Sequence, residues 1–142
     1  MTIGAILRAR NAEIFILRLD QNVTDAVSLF ATHRIGAAPV MNGGEVAGIF
    51  SERDVIRCLQ EHGPAALELK ISEVMTAPAL IVMPDEQVMG ALSLMTHRRV
   101  RHLPVASEGR LVGFVSIGDL VKFRIDQVEA DAEAMRAYIH QA

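Results

Sequence analysis

The chain has 142 residues, 51% hydrophobic and 4% aromatic, which is enough for one domain or two small halves that share an aliphatic core. Its net charge of −3 excludes a general attraction to nucleic acid or to anionic membranes, and its single cysteine excludes an internal disulfide. The apolar start is too short for a signal peptide and no apolar run reaches about 18 residues, so we expect a cytoplasmic protein without membrane contact.

The first half of the chain predicts a strand, a helix, two strands and a second helix. The strands are expected at residues 14–17, 37–41 and 46–50. The apolar face of the first helix carries Val23, Ala26, Val27 and Phe30. Asn22 is a suitable N-cap for this helix, and the Asn-Gly pair after residue 41 is a strong hairpin signal. The second helix begins at about Asp54, and segment 61–66 ends it and links the halves.

The second half predicts the same elements in the same order. The strands are expected at residues 80–83, 103–106 and 111–115. The apolar face of the first helix carries Val88, Ala91, Leu92 and Met95. Gln87 is a poorer cap than Asn22, and the second helix begins at about Asp119. A short apolar lead-in also repeats, since residues 2–7 resemble residues 70–75.

The chain is therefore a duplicated unit. Segment 23–59 aligns on segment 88–124 without a gap, and 11 of the 37 positions are identical, among them Arg34 and Arg99. The repeat predicts an α/β fold of two pseudo-symmetric β-α-β-β-α units packed sheet to sheet, with a ligand cleft between them. We expect the first unit at residues 1–68 and the second at residues 69–142, where it includes a long C-terminal helix.

An apolar stripe follows this last helix to the end of the chain. Its members are Val121, Ile125, Val128, Ala132, Met135 and Ile139, spaced alternately by four and three residues. One interpretation is a helix packed on its own domain, and the other is a helix that also packs on a second copy of the chain.

A Gly-φ-φ-Ser-x-x-Asp pattern, where φ is an apolar residue, occurs at the end of the hairpin in both halves. Ser51 and Asp54 belong to the first copy, and Ser116 and Asp119 to the second. Ser-x-x-Asp before an apolar helix is close to a capping box, which satisfies free N–H groups at the helix start. The nucleophile elbow, dinucleotide and phosphate-loop motifs do not occur, and the histidines lack paired metal-ligand spacing, so no catalytic residue, metal or required cofactor is expected.

The order of the elements and this duplicated pattern resemble a pair of cystathionine-β-synthase (CBS) domains, also called a Bateman module. The resemblance covers essentially the whole chain. Residues 50–54, 99–105 and 115–121 look like the stand-alone bacterial and organellar members of that family. The resemblance implies a sensor that is not an enzyme, binds an adenosine nucleotide between its repeats, forms a homodimer and regulates an unknown partner protein. AMP, ADP and ATP are the implied ligands, with NAD(H) as an alternative.

The resemblance also implies a role for particular residues. Asp119 and Asp54, with Ser116 and Ser51, would hold the ribose diol. The phosphates would contact Arg101 and His102, and Arg53 could reach them as well, although a solvated arginine at a helix start is the alternative. The adenine would lie against residues 76–80, namely Thr76, Ala77, Pro78 and Leu80.

The two halves differ where a phosphate would bind. The first half has Gly36 and Ala37 at the positions of Arg101 and His102, so it offers no cation there. We therefore expect two unlike sites, of which the one with Asp119, Arg101 and His102 binds phosphorylated ligands better. Successive strand residues point to opposite faces, so Arg101 and His102 could also serve different sites.

Two other functions compete with this one. The chain could be a constitutive dimeric scaffold with vestigial sites, whose C-terminal stripe docks a partner helix. Binding of nucleic acid through the basic run at residues 97–102 is not expected, because the net charge is negative and aromatic neighbours are missing from the run.

Overall fold

The computed structural model describes residues 1–141, and it contains the predicted duplication. The first repeat comprises β1 (Leu17–Arg18), α2 (Val23–His33), β2 (Ala37–Asn42), β3 (Glu45–Ser51) and α3 (Glu52–His62), preceded by α1 (Ile3–Arg10). A 3-10 helix (Gly63–Glu68) then leads into α4 (Ile71–Val74), α5 (Val88–Arg98), β4 (His102–Ser107), β5 (Arg110–Ser116) and α6 (Ile117–Gln141). The α/β fold with a long C-terminal helix is thus confirmed.

The two hairpins are equivalent and bring the repeats together. Strands β2 and β3 pair antiparallel, as do β4 and β5, and each hairpin has a register shift at the same point, after Val40 and after Val105. Strand β1 adds to the first hairpin in parallel with β2. Because β3 and β5 lie against each other, the two sheets meet through the last strand of each hairpin.

The first strand of each repeat is shorter than predicted. Residues 14–17 were expected as a strand, but β1 covers only Leu17–Arg18, because Ile14 and Phe15 line a cleft instead of pairing with a strand. Residues 80–83 form a single bridge between Val82 and Val105. Pro84, which has no N–H to offer a sheet, comes two residues later.

The helix caps explain where the helices begin. Asn22 caps α2 and forms a capping box with Asp25, as predicted, whereas the Gln87 side chain makes no capping hydrogen bond. The expected starts at Asp54 and Asp119 are two residues too late. Helices α3 and α6 begin directly after Ser51 and Ser116, because each serine hydroxyl accepts a hydrogen bond from the backbone N–H three residues later.

The lead-in helices are exchanged between the two cores. Ile3 of α1 is fully buried in the core of the second repeat, and Ile71 of α4 is fully buried in the core of the first. Backbone hydrogen bonds hold both in equivalent ways, since Ile3 N–H donates to Glu86 O (2.9 Å) and Ile71 N–H donates to Gln21 O (2.8 Å). Each repeat therefore completes its core with a helix that precedes the other repeat in the chain.

The apolar stripe of α6 does not pack on its own domain. Its large members Val121, Ile125, Val128, Met135 and Ile139 are between 42% and 62% exposed. Leu120, which is buried in the second core, anchors the start of the helix. The stripe is thus an open surface of this chain.

Candidate functional site

Within residues 1–141, two clefts lie between the repeats, and each takes residues from both. The Asp54 cleft has a volume of about 420 Å³ and joins the start of α3 to the loop before β4. The Asp119 cleft has a volume of about 590 Å³ and joins the start of α6 to the loop before β2 and to the segment after α1. Both volumes fall in the range of about 300–1,000 Å³ that is usual for small-molecule sites.

Asp54 is buried at the base of the first cleft and is surrounded by donors. Its Oδ2 accepts hydrogen bonds from Ser51 N–H (2.9 Å) and Ser51 Oγ (3.1 Å). Its Oδ1 accepts one from Thr76 Oγ1 (3.1 Å) and pairs with Arg57 Nη1 at 3.0 Å. The carboxylate is therefore a helix cap and a cleft residue at once, and two of its partners are side chains that a ligand hydroxyl could replace.

The rim of the Asp54 cleft is basic. Its charged side chains are Arg53, Arg57, Arg99 and Arg101, against the carboxylates of Glu52 and Asp54. Four arginines against two carboxylates leave an excess of positive charge, and His102 also lines the cleft. Such a cleft attracts an anionic ligand, and the field is strongest where the walls exclude water.

Asp119 holds the equivalent position in the second cleft but has a different counter-ion. Its Oδ2 accepts from Ser116 N–H (2.8 Å) and is paired with the Arg10 guanidinium, which also donates to Phe114 O (2.8 Å). Burial raises the pKa of Asp119, but the Ser116 hydrogen bond and the Arg10 charge outweigh it, so the pKa lies below its ordinary value.

The Asp119 cleft is electrically balanced. Its arginines are Arg10 and Arg34, and its carboxylates are Glu13 and Asp119. Gly36 and Ala37, the repeat equivalents of Arg101 and His102, line this cleft. The cations were expected beside Asp119 and not beside Asp54, so for Arg101 the expected distribution is reversed.

The expected grouping of Asp119 with Arg101 is wrong. Arg101 lines the cleft of Asp54, while its backbone carbonyl accepts a hydrogen bond from Ile117 N–H (2.8 Å) at the start of α6. Arg101 is therefore a residue of the second repeat that lines the cleft of Asp54, the carboxylate of the first repeat.

His102 lines both clefts and stacks on Phe114, with ring centroids 5.5 Å apart and an interplanar angle of 10°. Burial lowers the pKa of His102, and the charge of Arg101 lowers it further, although Asp119 acts in the opposite direction. The imidazole is therefore biased toward its neutral form, in which one ring nitrogen donates and the other accepts a hydrogen bond.

The segment predicted to hold adenine is only partly at the cleft. Thr76 lines the Asp54 cleft, and its backbone N–H and C=O both pair with Ile49 at 2.9 Å. Ala77 and Pro78 follow it at the surface, and Leu80 packs against the second core. Because the backbone groups of Thr76 are already paired, an adenine base could bond only with the backbone groups of the residues that follow it. Adenine contact at this segment stays a prediction.

Sequence reasoning missed four arginines at the clefts. Arg99 lines the Asp54 cleft, and its repeat equivalent Arg34 lines the Asp119 cleft. Both are helix C-caps in the left-handed region, with φ of 55° and 54°, where glycine is the usual residue. Their identity in the repeat alignment was the available signal. Arg10 and Arg57 carried no signal, because their partners are set by the fold.

Comparison with known proteins identifies the duplicated unit. The sequence pattern of the CBS domain matches residues 6–61 and again residues 71–126. The chain belongs to the CBS domain family. It is a tandem CBS pair, as the sequence resemblance implied.

Relatives of this CBS pair include both plant and bacterial proteins. It is 35% identical over 125 residues to the mitochondrial CBS domain-containing protein CBSX3 of Arabidopsis thaliana, covering 84% of this chain and 61% of that protein. It is 40% identical, with a TM-score of 0.80, to a putative signal-transduction protein with CBS domains from Burkholderia ambifaria, covering 89% and 95% of the two chains. The CBS pair thus spans 61% of the length of the plant protein.

A more distant structure shares the fold. The CBS domain pair of protein MJ0100, solved in complex with 5′-methylthioadenosine and S-adenosyl-L-methionine, has a TM-score of 0.79 at 20% identity. The alignment covers 89% of this chain and 98% of that one. As to membranes, none of the helices within residues 1–141 combines the length and the apolar character that crossing a bilayer requires.

Proposed function

We propose that this CBS pair is a non-catalytic regulatory module that binds an adenosine nucleotide in the Asp54 cleft. The observation that carries the proposal is the convergence of Asp54 and Arg101, from different repeats, on one cleft with an excess of positive charge. AMP, ADP and ATP are the proposed ligands, with NAD(H) as the alternative. The relevant comparison is the MJ0100 pair, whose two ligands both contain adenosine.

In this proposal each part of the nucleotide has its own protein partners. The Asp54 carboxylate accepts the ribose hydroxyls in exchange for its bonds with Thr76 Oγ1 and Arg57 Nη1. The phosphates meet Arg101 and Arg99 at the far side of the cleft, where hydrogen bonds between charged groups contribute about 1.5–3 kcal/mol each when desolvated. His102 and Arg53 complete the anion site, and the base lies toward residues 76–80.

Such a ligand would couple the two repeats. Its ribose would be held by the first repeat and its phosphates by the second, so binding favours the arrangement in which the halves are close. The shift can be no larger than the difference in affinity between the two arrangements. A partner protein that contacts both repeats would read this change, and the same pairing in a homodimer would transmit it to a second copy.

A constitutive scaffold is the second candidate. One observation favours it: both cleft carboxylates already have charged or polar protein partners, with Arg57 and Thr76 at Asp54 and Arg10 at Asp119. A scaffold would keep these contacts permanently and would not respond to nucleotides.

Thermal unfolding with AMP, ADP, ATP, NADH and adenosine distinguishes the two candidates. At about 100 times its dissociation constant, a ligand of the native state adds about 2.7 kcal/mol, which is roughly 5–10 °C for a chain of this size. The phosphorylated ligands should exceed adenosine, because the rim of the cleft is basic. If none of them raises the melting temperature at millimolar concentration, the sensor proposal fails and the scaffold remains.

A further inference from the structure

The exposed stripe of α6 has a length and a charge pattern that point to one occupant. From Val121 to Ile139 it extends about 27 Å along the helix, at 1.5 Å per residue. Within the described chain its residues are not among those that line the Asp54 and Asp119 clefts. Most of the stability of a helix in a protein comes from packing of its apolar face, and this stripe supplies none while it is uncovered.

We propose that this stripe packs against the same stripe of a second copy of the chain as a parallel two-stranded coiled coil. The spacing by four and three residues sets the heptad positions. Ile125, Ala132 and Ile139 fall at position a, and Val121, Val128 and Met135 at position d. Ile125 and Ile139 at position a are β-branched, as is common at this position in two-stranded parallel coiled coils.

The flanking charges select the parallel orientation. Arg124 and Asp131 are at position g, and Glu129 and Arg136 are at position e. In a parallel pair, each g residue lies beside the e residue five positions later on the other helix. Arg124 then meets Glu129 of the second copy, and Asp131 meets Arg136 of the second copy. Two-fold symmetry repeats both contacts, so four ion pairs flank the apolar seam.

The antiparallel orientation places like charges together. The stripe itself does not distinguish the two orientations, because it is symmetric about residue 130 and each a residue would simply face a d residue. In the antiparallel pair, however, e faces e and g faces g. Glu129 would face Glu129 of the second copy, and Asp131 would face Asp131 of the second copy. Lys122 would face Arg136 of the second copy. Like charges across a seam are destabilising, so charge decides the orientation.

Existing contacts on α6 do not prevent this exchange. Arg136 pairs with Glu133 at 3.2 Å, but the two side chains are 70% and 78% exposed. An exposed pair within one helix contributes little, so Arg136 is free to contact Asp131 of the second copy instead. Arg124 only donates to the amide of Gln127 (3.1 Å).

Equilibrium sedimentation of the full chain tests the assembly, with an expected mass of twice 15.5 kDa. Arg124→Glu should raise the dimer dissociation constant about tenfold, because two attractive pairs become repulsive. Adding Glu129→Arg to that variant restores opposite charges and should restore wild-type affinity. Lys122→Glu is the matched control, since Lys122 has no charged neighbour in the parallel pair. A monomeric wild type, or a double variant as weak as Arg124→Glu, overturns the proposal.

Disulfide trapping tests the orientation on the folded protein. Ile139→Cys places two thiols face to face in the parallel pair, whereas in the antiparallel pair residue 139 faces Val121. We expect rapid oxidation to a cross-linked dimer for Ile139→Cys and none for Ala137→Cys, which lies on the outer side of the helix. The native Cys58 is buried and does not interfere. A dimer that cross-links only when Ile139→Cys is mixed with Val121→Cys, or that does not cross-link, overturns the proposal.

Discussion

Arg10 and Asp119, which are 109 positions apart in the sequence, form an ion pair between the end of α1 and the start of α6. The equivalent carboxylate in the first repeat, Asp54, pairs instead with Arg57, three residues later on the same helix. The two clefts therefore have equivalent carboxylates, but the counter-ions of these carboxylates come from different parts of the chain. The two clefts also differ where Arg101 in the second repeat corresponds to Gly36 in the first. Together these differences give the two clefts unequal charge.

Loss of the Arg10 contact should affect stability but not nucleotide binding. Both partners of the pair are about one-third exposed, so Arg10→Gln should lower the free energy of unfolding by no more than about 1 kcal/mol. The pKa of Asp119 should also rise toward the pKa of the unfolded chain. A carboxylate with a lowered pKa stabilises the folded protein at pH values above the unfolded pKa, so part of that stabilisation is lost in the variant. Urea unfolding measures the first effect and titration calorimetry the affinity, with Arg8→Gln as the control. A weaker nucleotide affinity in Arg10→Gln would place the ligand in the Asp119 cleft.

Removing Arg101 should weaken the binding of phosphorylated ligands specifically. Because Arg101 is exposed at the rim, we expect the low end of a charge-assisted contact, about 1.5 kcal/mol or roughly tenfold in dissociation constant for Arg101→Ala. Arg98→Ala, three residues earlier at the end of α5, removes the same charge away from both clefts. Equal losses in the two variants would mean that only general charge attracts the nucleotide. Adenosine affinity should be the same in both.

The state of His102 should make stability depend on pH near neutrality. Its pKa is lowered from 6.5 in the folded chain, mainly by burial, so the unfolded chain binds the proton first as the pH falls. The contribution of His102 to stability is complete at pH values above the pKa of the unfolded chain, and it declines as the pH falls below about 6.5. His102→Gln should flatten that decline. The check is urea unfolding without nucleotide at about pH 7.5, 6.5 and 5.5, and an equal slope in the variant would contradict the assignment.

The two glycines of the duplicated pattern should tolerate alanine unequally. A Cβ on Gly48 would lie 2.6 Å from the Thr76 carbonyl oxygen, whereas one on Gly113 would lie 2.5 Å from the methyl groups of Leu7. A backbone oxygen moves less readily than a side-chain methyl. We expect Gly48→Ala to cost about 3 kcal/mol and Gly113→Ala about 1 kcal/mol, both measured by urea unfolding. The reverse order would show that α1 is held more tightly than the segment after α4.

Local chemistry made much of the fold predictable. The hairpin turn after Asn42, the Asn22 cap and the Ser51–Asp54 and Ser116–Asp119 capping contacts all act within four residues, and each forms at or within two residues of the place that the pattern indicated. The first strand of the first repeat was mispredicted, because Ile14 and Phe15 line the Asp119 cleft and do not pair in a sheet. Periodicity reports that a residue is buried but not what covers it.

The sequence by itself determined that this chain is a duplicated CBS pair whose repeats differ at Gly36 and Arg101, because a gapless repeat preserves local signals and shows where a cation is replaced by glycine. Only the tertiary structure decided which residues share a cleft. Lead-in helices α1 and α4 are exchanged between the cores, and each cleft is built from both repeats, so Arg101 joins Asp54, and Asp119 receives Arg10. These contacts join residues dozens of positions apart, and no local pattern encodes them, because they result from how two similar surfaces pack.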